Sequence, residues 1–441
     1  MLLGDLAPED EGDLVRLTDR AVGVEQTFPQ PVGGGLPVEI NFERSPALRI
    51  DCHPAFFARA TIGMVGGAVL LQSGVIHVVF RNCSLAGVTM STKFGAWCCV
   101  PGVIAIFTFA LFCEIGFSQA QETRFFRIGA AATSGTFFEI GGVIASAISK
   151  PDGAPPCDHG GSCGVPGLVA VTQATQGSVE NLRMIGTGQI ESGIAQSDVV
   201  SWAFAGTGIF AADGPITNLR VIASLFPENL QLVVRGDSSI HTLADLKGAH
   251  ISLGQAGSGT LADARVLLTA LGLSEKDLVA EYLRPGIAAA ELREGTLDGF
   301  FLIGGTPVPA ISELAAELPV RLIPVDDDVL ARMRENSTSY RRSVIPAGIY
   351  PGVDKETPSI GFRALWIVSA DATDELIYEI TKALWSDATR RLLDAHGPLG
   401  NKIRLENALD DLPAPLHPGA KRFYREIGLP VDEEGLPGRR P

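Results

Sequence analysis

Four short turns containing serine, threonine or glutamine, three of them with glycine as well, follow β-like runs of this sequence. They lie at residues 132–136, 196–198, 254–260 and 304–307. The apolar runs before the turns and the helical patterns after them are typical of strand–turn–helix units. A series of such units predicts an α/β fold. Ligands of open α/β sheets bind at the carboxyl ends of the strands, so these turns mark the predicted binding edge.

The chemistry of these turns favours an anion. Backbone N–H groups at helix starts point outward, and the helix dipole attracts negative charge there. The hydroxyls of Ser134, Thr136, Ser258 and Thr260 can add donors. The alternative is that these residues only cap helices, which serine, threonine and aspartate do well. Asp198 has two interpretations as well: it receives the amino group of a ligand, or it caps the helix that follows.

Composition excludes several classes of protein. The 441 residues carry a formal net charge of −15, with 46% hydrophobic and 19% charged residues. This composition is globular, and its acidity argues against a nucleic-acid binder and against docking on anionic lipid.

Residues 254–260 form neither a phosphate-binding loop nor a dinucleotide fingerprint, and we predict no cofactor. The histidines lie in no known catalytic motif, so we predict a binding protein; an enzyme on this scaffold is the alternative.

Residues 90–120 have the pattern of a secretory signal peptide. A short start with Lys93 precedes an apolar run at residues 100–113, and small residues end it at Ser118 and Ala120. The run is shorter than the ~20 residues of a spanning helix. We therefore expect export to the periplasm with cleavage after Ala120. Residues 1–89 are interpreted as over-extended or disordered sequence, with a genuine N-terminal extension as the alternative.

Two cysteines remain after that cleavage point. Cys157 and Cys163 flank a glycine-rich loop, and a close pair in an exported protein indicates a disulfide. The alternative is a metal site with His159, but no second ligand pair with metal-like spacing lies nearby. We predict a disulfide and no metal.

Two parts of the sequence favour crossing strands. Residues 218–224 and 230–235 are predicted as consecutive strands, and residues 359–368 as one long strand. Arg363 lies on the long strand and is either a partner for a carboxylate or a member of a salt bridge.

An ordered set of motifs resembles the TAXI branch of the TRAP-transporter solute receptors. The matching pieces lie at residues 133–138, 176–182, 195–198, 243–248, 257–260, 298–301 and 345–350. The resemblance implies a two-lobed type II periplasmic-binding-protein fold in which two crossing strands form the hinge. Lobe one would comprise residues 121–233 and 363–441, and lobe two residues 234–362.

The resemblance also implies a function and a set of site residues. The protein would capture a small organic acid or amino acid, similar to glutamate or 2-oxoglutarate, and deliver it as a monomer to TRAP permease subunits in the membrane. The alternative is the binding protein of an ABC importer, which would share the fold and the compartment. The implied ligand-binding residues are Ser134, Gly135, Thr136, Ser178, Asn181, Gln196, Ser197, Asp198, Ser258, Gly259, Thr260, Gly304, Gly305, Pro307 and Tyr350.

Overall fold

The computed structural model describes residues 123–157, 163–335 and 339–431. Residues 1–89 and the signal-peptide segment at 90–120 lie outside these ranges, so both interpretations remain predictions. Among the described helices, none is long and apolar enough to cross a membrane.

Twelve strands of the described ranges join in one connected sheet. They are β1 (Arg124–Gly129), β2 (Ser149–Lys150), β3 (Val165–Pro166), β4 (Leu168–Gln173), β5 (Ser192–Gln196), β6 (Leu219–Arg235), β7 (His250–Ser252), β8 (Val279–Glu281), β9 (Gly299–Gly304), β10 (Val320–Ile323), β11 (Arg341–Ile345) and β12 (Thr357–Ser369).

Helices follow most of these strands and cover the sheet. They are α1 (Thr136–Ile148), α2 (Ser178–Gly186), α3 (Ser197–Ala205), α4 (Gly259–Ala270), α5 (Pro285–Glu294), α6 (Pro309–Glu317), α7 (Asp327–Arg334), α8 (Asp374–Leu384), α9 (Asp387–Ala395), α10 (Gly397–Gly400) and α11 (Pro418–Glu426). Short 3-10 turns lie at Gly208–Phe210, Leu243–Leu246, Glu275–Asp277 and Leu405–Asn407.

The two halves of the sheet repeat one strand order. In lobe one the order is β4-β1-β5-β12-β6, and in lobe two it is β8-β7-β9-β6-β10. In each lobe the first three strands are parallel, and the fourth strand in the order runs antiparallel. That antiparallel strand is β12 in lobe one and β6 in lobe two, and both strands extend through both lobes. The predicted two-lobed type II periplasmic-binding-protein fold, with two crossing strands, is confirmed.

The first crossing strand corrects a prediction. Residues 219–224 and 230–235 belong to one strand, β6, and not to two consecutive strands, and Asn218 lies just before it. Pro227 lies within β6 opposite Arg363 of β12, and the pairing shifts register just beyond, between Ala364 and Leu365. Pairing of β6 with β9 begins only at Asn229, so among the described strands none pairs with the other edge of β6 at Pro227. A proline without an N–H group is tolerated at such an uncovered, irregular position.

Both crossing strands change their pairing partners at about the same height in the sheet. Strand β12 pairs with β11 up to Gly361 and with β5 from Ala364, and β6 acquires its lobe-two partner at Asn229. The exact lobe boundaries given above remain predictions. Trp366 of β12 packs against β5: its ring is fully buried, and its Nε1–H donates to Ser192 Oγ at 3.1 Å.

A disulfide joins Cys157 and Cys163, as predicted, with a Cα–Cα distance of 4.8 Å. This distance lies in the ordinary range for a disulfide. His159 of the alternative metal site lies outside the described residues. In the ranges that the structure describes, no group of three or more metal-ligating side chains occurs.

Candidate functional site

Helix starts from both lobes meet at one place between the lobes. Helices α1 and α2 contribute from lobe one, and α4 and α5 contribute from lobe two. Each of these helices follows the carboxyl end of a strand, because the chain turns there from sheet to helix. The first N–H groups of a helix have no partner within the helix. At α1 and α2 the N-cap residues are Gly135 and Gly177, and no side chain caps either helix.

A cavity of about 560 Å³, including the space at its mouth, lies between these helix starts. Lobe one lines it with Ala131, Ala132, Gly135, Thr136, Phe137, Gln176, Gly177, Ser178 and Gln196. Lobe two lines it with Gly254, Gln255, Ser258, Gly259, Thr260, Leu283, Pro285, Ala288, Phe301, Leu302 and Ile303.

The lining has a polar part and an apolar part but no charged side chain among the described residues. Hydroxyl and amide groups lie at the helix starts, and Phe137, Leu283 and Phe301 contribute apolar surface. Thr260 Oγ1 accepts a hydrogen bond from the Ile303 N–H at 3.1 Å, and Thr136 Oγ1 accepts one from the Gly305 N–H at 3.3 Å. Both hydroxyls therefore keep their hydrogen for another acceptor.

The two lobes touch directly around the cavity, so the structure shows a closed arrangement. Gln255 Nε2 donates to the Gln176 carbonyl at 2.8 Å, and the Gly286 N–H donates to Ser134 Oγ at 3.1 Å. On the far side, Lys402 Nζ donates to the Thr306 carbonyl at 2.8 Å. Separating the lobes would break these bonds.

Gly259 permits the closest approach between the lobes. A Cβ atom on this residue would lie 1.6 Å from Gln196 Oε1 and 3.1 Å from Ser178 Oγ. Gln196 is only 3% exposed, and Ser178 Oγ donates to its Oε1 at 3.3 Å. A Cβ atom at position 259 would therefore force the Gln196 amide out of its hydrogen bonds in the closed arrangement.

A pair of acidic side chains lies directly behind Gln196. Gln196 Nε2 donates to Asp263 Oδ2 at 3.1 Å, and Tyr340 Oη donates to Asp263 Oδ1 at 3.0 Å. Asp198 of lobe one contacts Asp263 of lobe two, and both residues are fully buried. Burial raises the pKa of Asp198 to about 6. Burial, followed by the charge of Asp198, raises the pKa of Asp263 well above its usual range.

The structure brings part of the predicted residue set together. The predicted residues that line the cavity are Gly135, Thr136, Ser178, Gln196, Ser258, Gly259 and Thr260. Ser134, Gly304 and Gly305 lie just behind the lining: Ser134 and Gly305 bond across the lobes, and Gly304 packs against Thr136.

The other predicted residues lie outside the lining. Asn181 is buried in lobe one, where its Nδ2 donates to the carbonyls of Gly129, Ala130 and Ile194. Tyr350 is 1% exposed in lobe two, where its hydroxyl accepts from the Val308 N–H and donates to Gln231 Oε1. These contacts fix secondary-structure elements and give both residues a structural position. Pro307, in a cis peptide bond before α6, is also absent from the lining.

Two further predicted residues and Arg363 lie at the start of α3 and beside it. Ser197 Oγ accepts a hydrogen bond from the Arg363 N–H at 3.2 Å, and Asp198 faces Asp263. The Arg363 guanidinium donates to Ser224 Oγ at 2.8 Å and interacts electrostatically with Glu228, Asp410 and Asp411. None of the three lines the cavity. Its guanidinium also donates to the Asn407 carbonyl at 3.4 Å, so both interpretations of Arg363, carboxylate partner and salt bridge, stay predictions.

Several lining residues were absent from the predicted set. Gln176 and Gln255 belong to motifs that were recognised, each one or more residues before the serine or threonine that was selected. Their amide groups, which can hydrogen-bond a ligand, were the feature by which the sequence could have identified them. The apolar residues Leu283, Phe301 and Ile303 carried no such signal, because apolar residues at strand ends are equally typical of a core.

Comparisons with known proteins place this chain in a family. Solved structures similar to it include the periplasmic aliphatic sulphonate-binding protein SsuA from Escherichia coli, at 16% identity over 68% of this chain and 84% of that chain, with a TM-score of 0.34. Another is PhnD1 from Prochlorococcus marinus in complex with methylphosphonate, at 11% identity over 69% of this chain and 99% of that chain, with a TM-score of 0.40.

A third is the substrate-binding protein of an amino acid ABC transporter, at 13% identity over 62% of this chain and 98% of that chain, with a TM-score of 0.35. The fold assignment given above rests on the strand order of this chain. A model of the NMT1-like family matches residues 128–428, which is more than half of the chain. The chain belongs to the NMT1-like family.

Proposed function

We propose that this protein is the periplasmic solute-binding component of a membrane importer and that it closes on a small organic acid with a single negative charge. The observation that carries the proposal is the convergence of helix starts from both lobes on one cavity without charged side chains. Only the closed arrangement offers donors from both lobes. A ligand that needs both sets of donors therefore favours closure.

The anionic group is supported by the donors at the helix starts. The starts of α1 and α2, which no side chain caps, line the cavity from one side, and the start of α4 with Thr260 lines it from the other. Hydrogen bonds to an ionised acceptor are about twice as strong as those between neutral groups. A carboxylate, sulfonate or phosphonate would be held this way, and we propose a carboxylate because two planar oxygens suit two sets of donors.

The lack of charged side chains in the described lining supports a ligand with a single negative charge. An ammonium group would require an acidic partner, and the cavity offers none among the described residues, since Asp198 is turned to Asp263. A second carboxylate would contact the apolar surface formed by Phe137, Leu283 and Phe301. An unpaired charge buried in apolar surroundings is strongly unfavourable. The proposal thus narrows the range of glutamate-like ligands given by sequence to monocarboxylates.

Four compounds on one five-carbon skeleton test this ligand class. We expect pentanoate to stabilise the purified protein by about 2.7 kcal/mol at one hundred times its dissociation constant. Norvaline adds an ammonium, glutarate adds a carboxylate and pentanamide removes the charge, and each should bind at least about 100-fold more weakly because a buried charge is unpaired or lost. The measurement is thermal unfolding followed by titration calorimetry, repeated with acids of two to six carbons.

The outcomes separate the ligand class from the binding role. Tighter binding of norvaline or glutarate than of pentanoate would refute the monocarboxylate and leave solute binding intact. A protein that responds to none of the acids in the series would refute both.

The class of importer is a separate part of the proposal. The motif resemblance described above supports a TRAP permease, and an ABC importer is the second candidate because its binding proteins share this fold and compartment. Uptake of the bound acid into proteoliposomes containing each permease of the source organism distinguishes them. Uptake that requires this protein and ATP assigns an ABC importer, and uptake driven by an ion gradient without ATP assigns a TRAP permease.

A further inference from the structure

The acidic pair behind the cavity joins the two lobes. Asp198 lies in the first turn of α3 in lobe one, and Asp263 lies in α4 of lobe two. Both side chains are fully buried, and neither oxygen of Asp198 makes a hydrogen bond of ordinary geometry with a described residue. Asp263 is bonded to Gln196, which lines the cavity, so the pair is one side chain away from the ligand.

The charged and titratable groups around the pair do not neutralise it. Asp411 and Glu228 add negative charge near Asp198, and Tyr340 donates one neutral hydrogen bond to Asp263. Arg363 is the basic group of this region, and it interacts with Glu228, Asp410 and Asp411. Arg341 is bonded to Asp411. The contact between the two carboxyl groups is therefore between like charges unless one of them carries a proton.

Carboxyl groups in contact cannot both be ionised in a buried place at low energetic cost, and such pairs share a proton. The shared proton would also provide the hydrogen bond that the oxygens of Asp198 lack. In the open protein the lobes separate, the two carboxyl groups move apart and water reaches them. Each then returns toward the ordinary pKa of an aspartate, near 3.9, and is ionised at neutral pH.

We propose that Asp198 and Asp263 form a proton-binding site that is complete only in the closed protein, so that closure on the ligand takes up a proton. The part of the inference that concerns ligand affinity depends on the proposed function. The part that concerns closure does not.

The direction of the pH dependence follows from the protonation of each state. The closed state holds at least one proton more than the open state between the ordinary aspartate pKa and the raised values of the pair. Uptake of one proton makes the dissociation constant rise about tenfold for each pH unit in that window. We expect the affinity for pentanoate to fall as the pH rises from 6 to 8, by up to about tenfold per pH unit, in a range in which the ligand stays ionised.

Two neutralising variants test the inference through affinity. Asp263→Asn can donate to an ionised Asp198 without a proton, so we expect it to remove the pH dependence and to bind pentanoate at least about tenfold more tightly than the native protein at pH 8. Asp198→Asn should behave in the same way. Asp354→Asn, at an exposed carboxylate, should keep the native dependence. A native dissociation constant that is flat from pH 6 to pH 8, or an unchanged slope in both buried variants, would overturn the proposal.

A cross-link tests closure without any ligand. A Cβ atom on Gly286 would lie 3.5 Å from Ser134 Cβ across the lobes, a distance that a disulfide can span. With Ser134→Cys and Gly286→Cys combined, the rate of disulfide formation at fixed pH reports the closed population. At pH 7.5 we expect Asp263→Asn to cross-link at least about fivefold faster than Asp354→Asn in this background, measured by mass spectrometry of the joined peptides. Equal rates would overturn the proposal, whatever the ligand is.

Discussion

Gly259→Ala is expected to weaken ligand binding by about 100-fold while the protein remains folded. The added Cβ would overlap Gln196 Oε1 at 1.6 Å in the closed arrangement. Overpacking in a buried place commonly costs about 1–3 kcal/mol, and an overlap this severe lies at the upper end of that range. In the open protein the two residues separate, so the cost falls on closure alone. Titration calorimetry with pentanoate gives the affinity, and the radius of gyration from small-angle scattering gives the extent of closure.

Controls for this variant are available within the chain. Gly142 lies inside α1, and a Cβ atom there would meet nothing within 4 Å, so Gly142→Ala should leave the affinity unchanged. Combining Gly259→Ala with Gln196→Ala removes the overlapping amide and should recover part of the affinity. Native affinity in Gly259→Ala would show that the ligand is bound without the close approach seen in the structure.

Asn181→Ala is expected to lower the free energy of unfolding by about 3 kcal/mol. The side chain is fully buried, and its Nδ2 donates to three carbonyls, at 3.1 Å to Gly129, 2.7 Å to Ala130 and 2.9 Å to Ile194. Alanine leaves these carbonyls without that donor in a place that water does not reach. Urea unfolding measures the loss, and the exposed Asn401→Ala should change the free energy by less than about 0.5 kcal/mol.

The same variant separates the two interpretations of Asn181. The sequence places it among the ligand-binding residues, whereas the structure places it between β1 and β5. We expect the folded Asn181→Ala protein to bind its ligand with an affinity within about threefold of the native protein. A loss of affinity without a loss of stability would restore Asn181 to the site.

The sequence analysis could locate the helix starts because their signature is local. Ser258 and Gly259 are recognisable because capping and close backbone approach depend on residues that are neighbours in the chain. Ser258 does accept the hydrogen bond from Leu261 that an N-cap residue is expected to accept. The α/β class was predictable for the same reason, since each strand–turn–helix unit is a local pattern.

What could not be predicted depends on contacts between distant residues. Asp198 and Asp263 lie in different helices of different lobes, and no spacing in the sequence relates them. Tyr350 was placed at the cavity by its motif, yet its hydroxyl is held by Gln231 and Val308, both far from it in sequence. Strand β6 passes through Pro227, where no described strand pairs with its other edge, and a local proline rule does not contain this fact of tertiary pairing.

The exchange of crossing strands between the lobes has a consequence for how the chain is made. Lobe one needs β12 between β5 and β6, and β12 is the last strand to leave the ribosome. In the described part of the chain, β4, β1 and β5 pair with one another, but they are joined to β6 only when β12, at residues 357–369, has been synthesised.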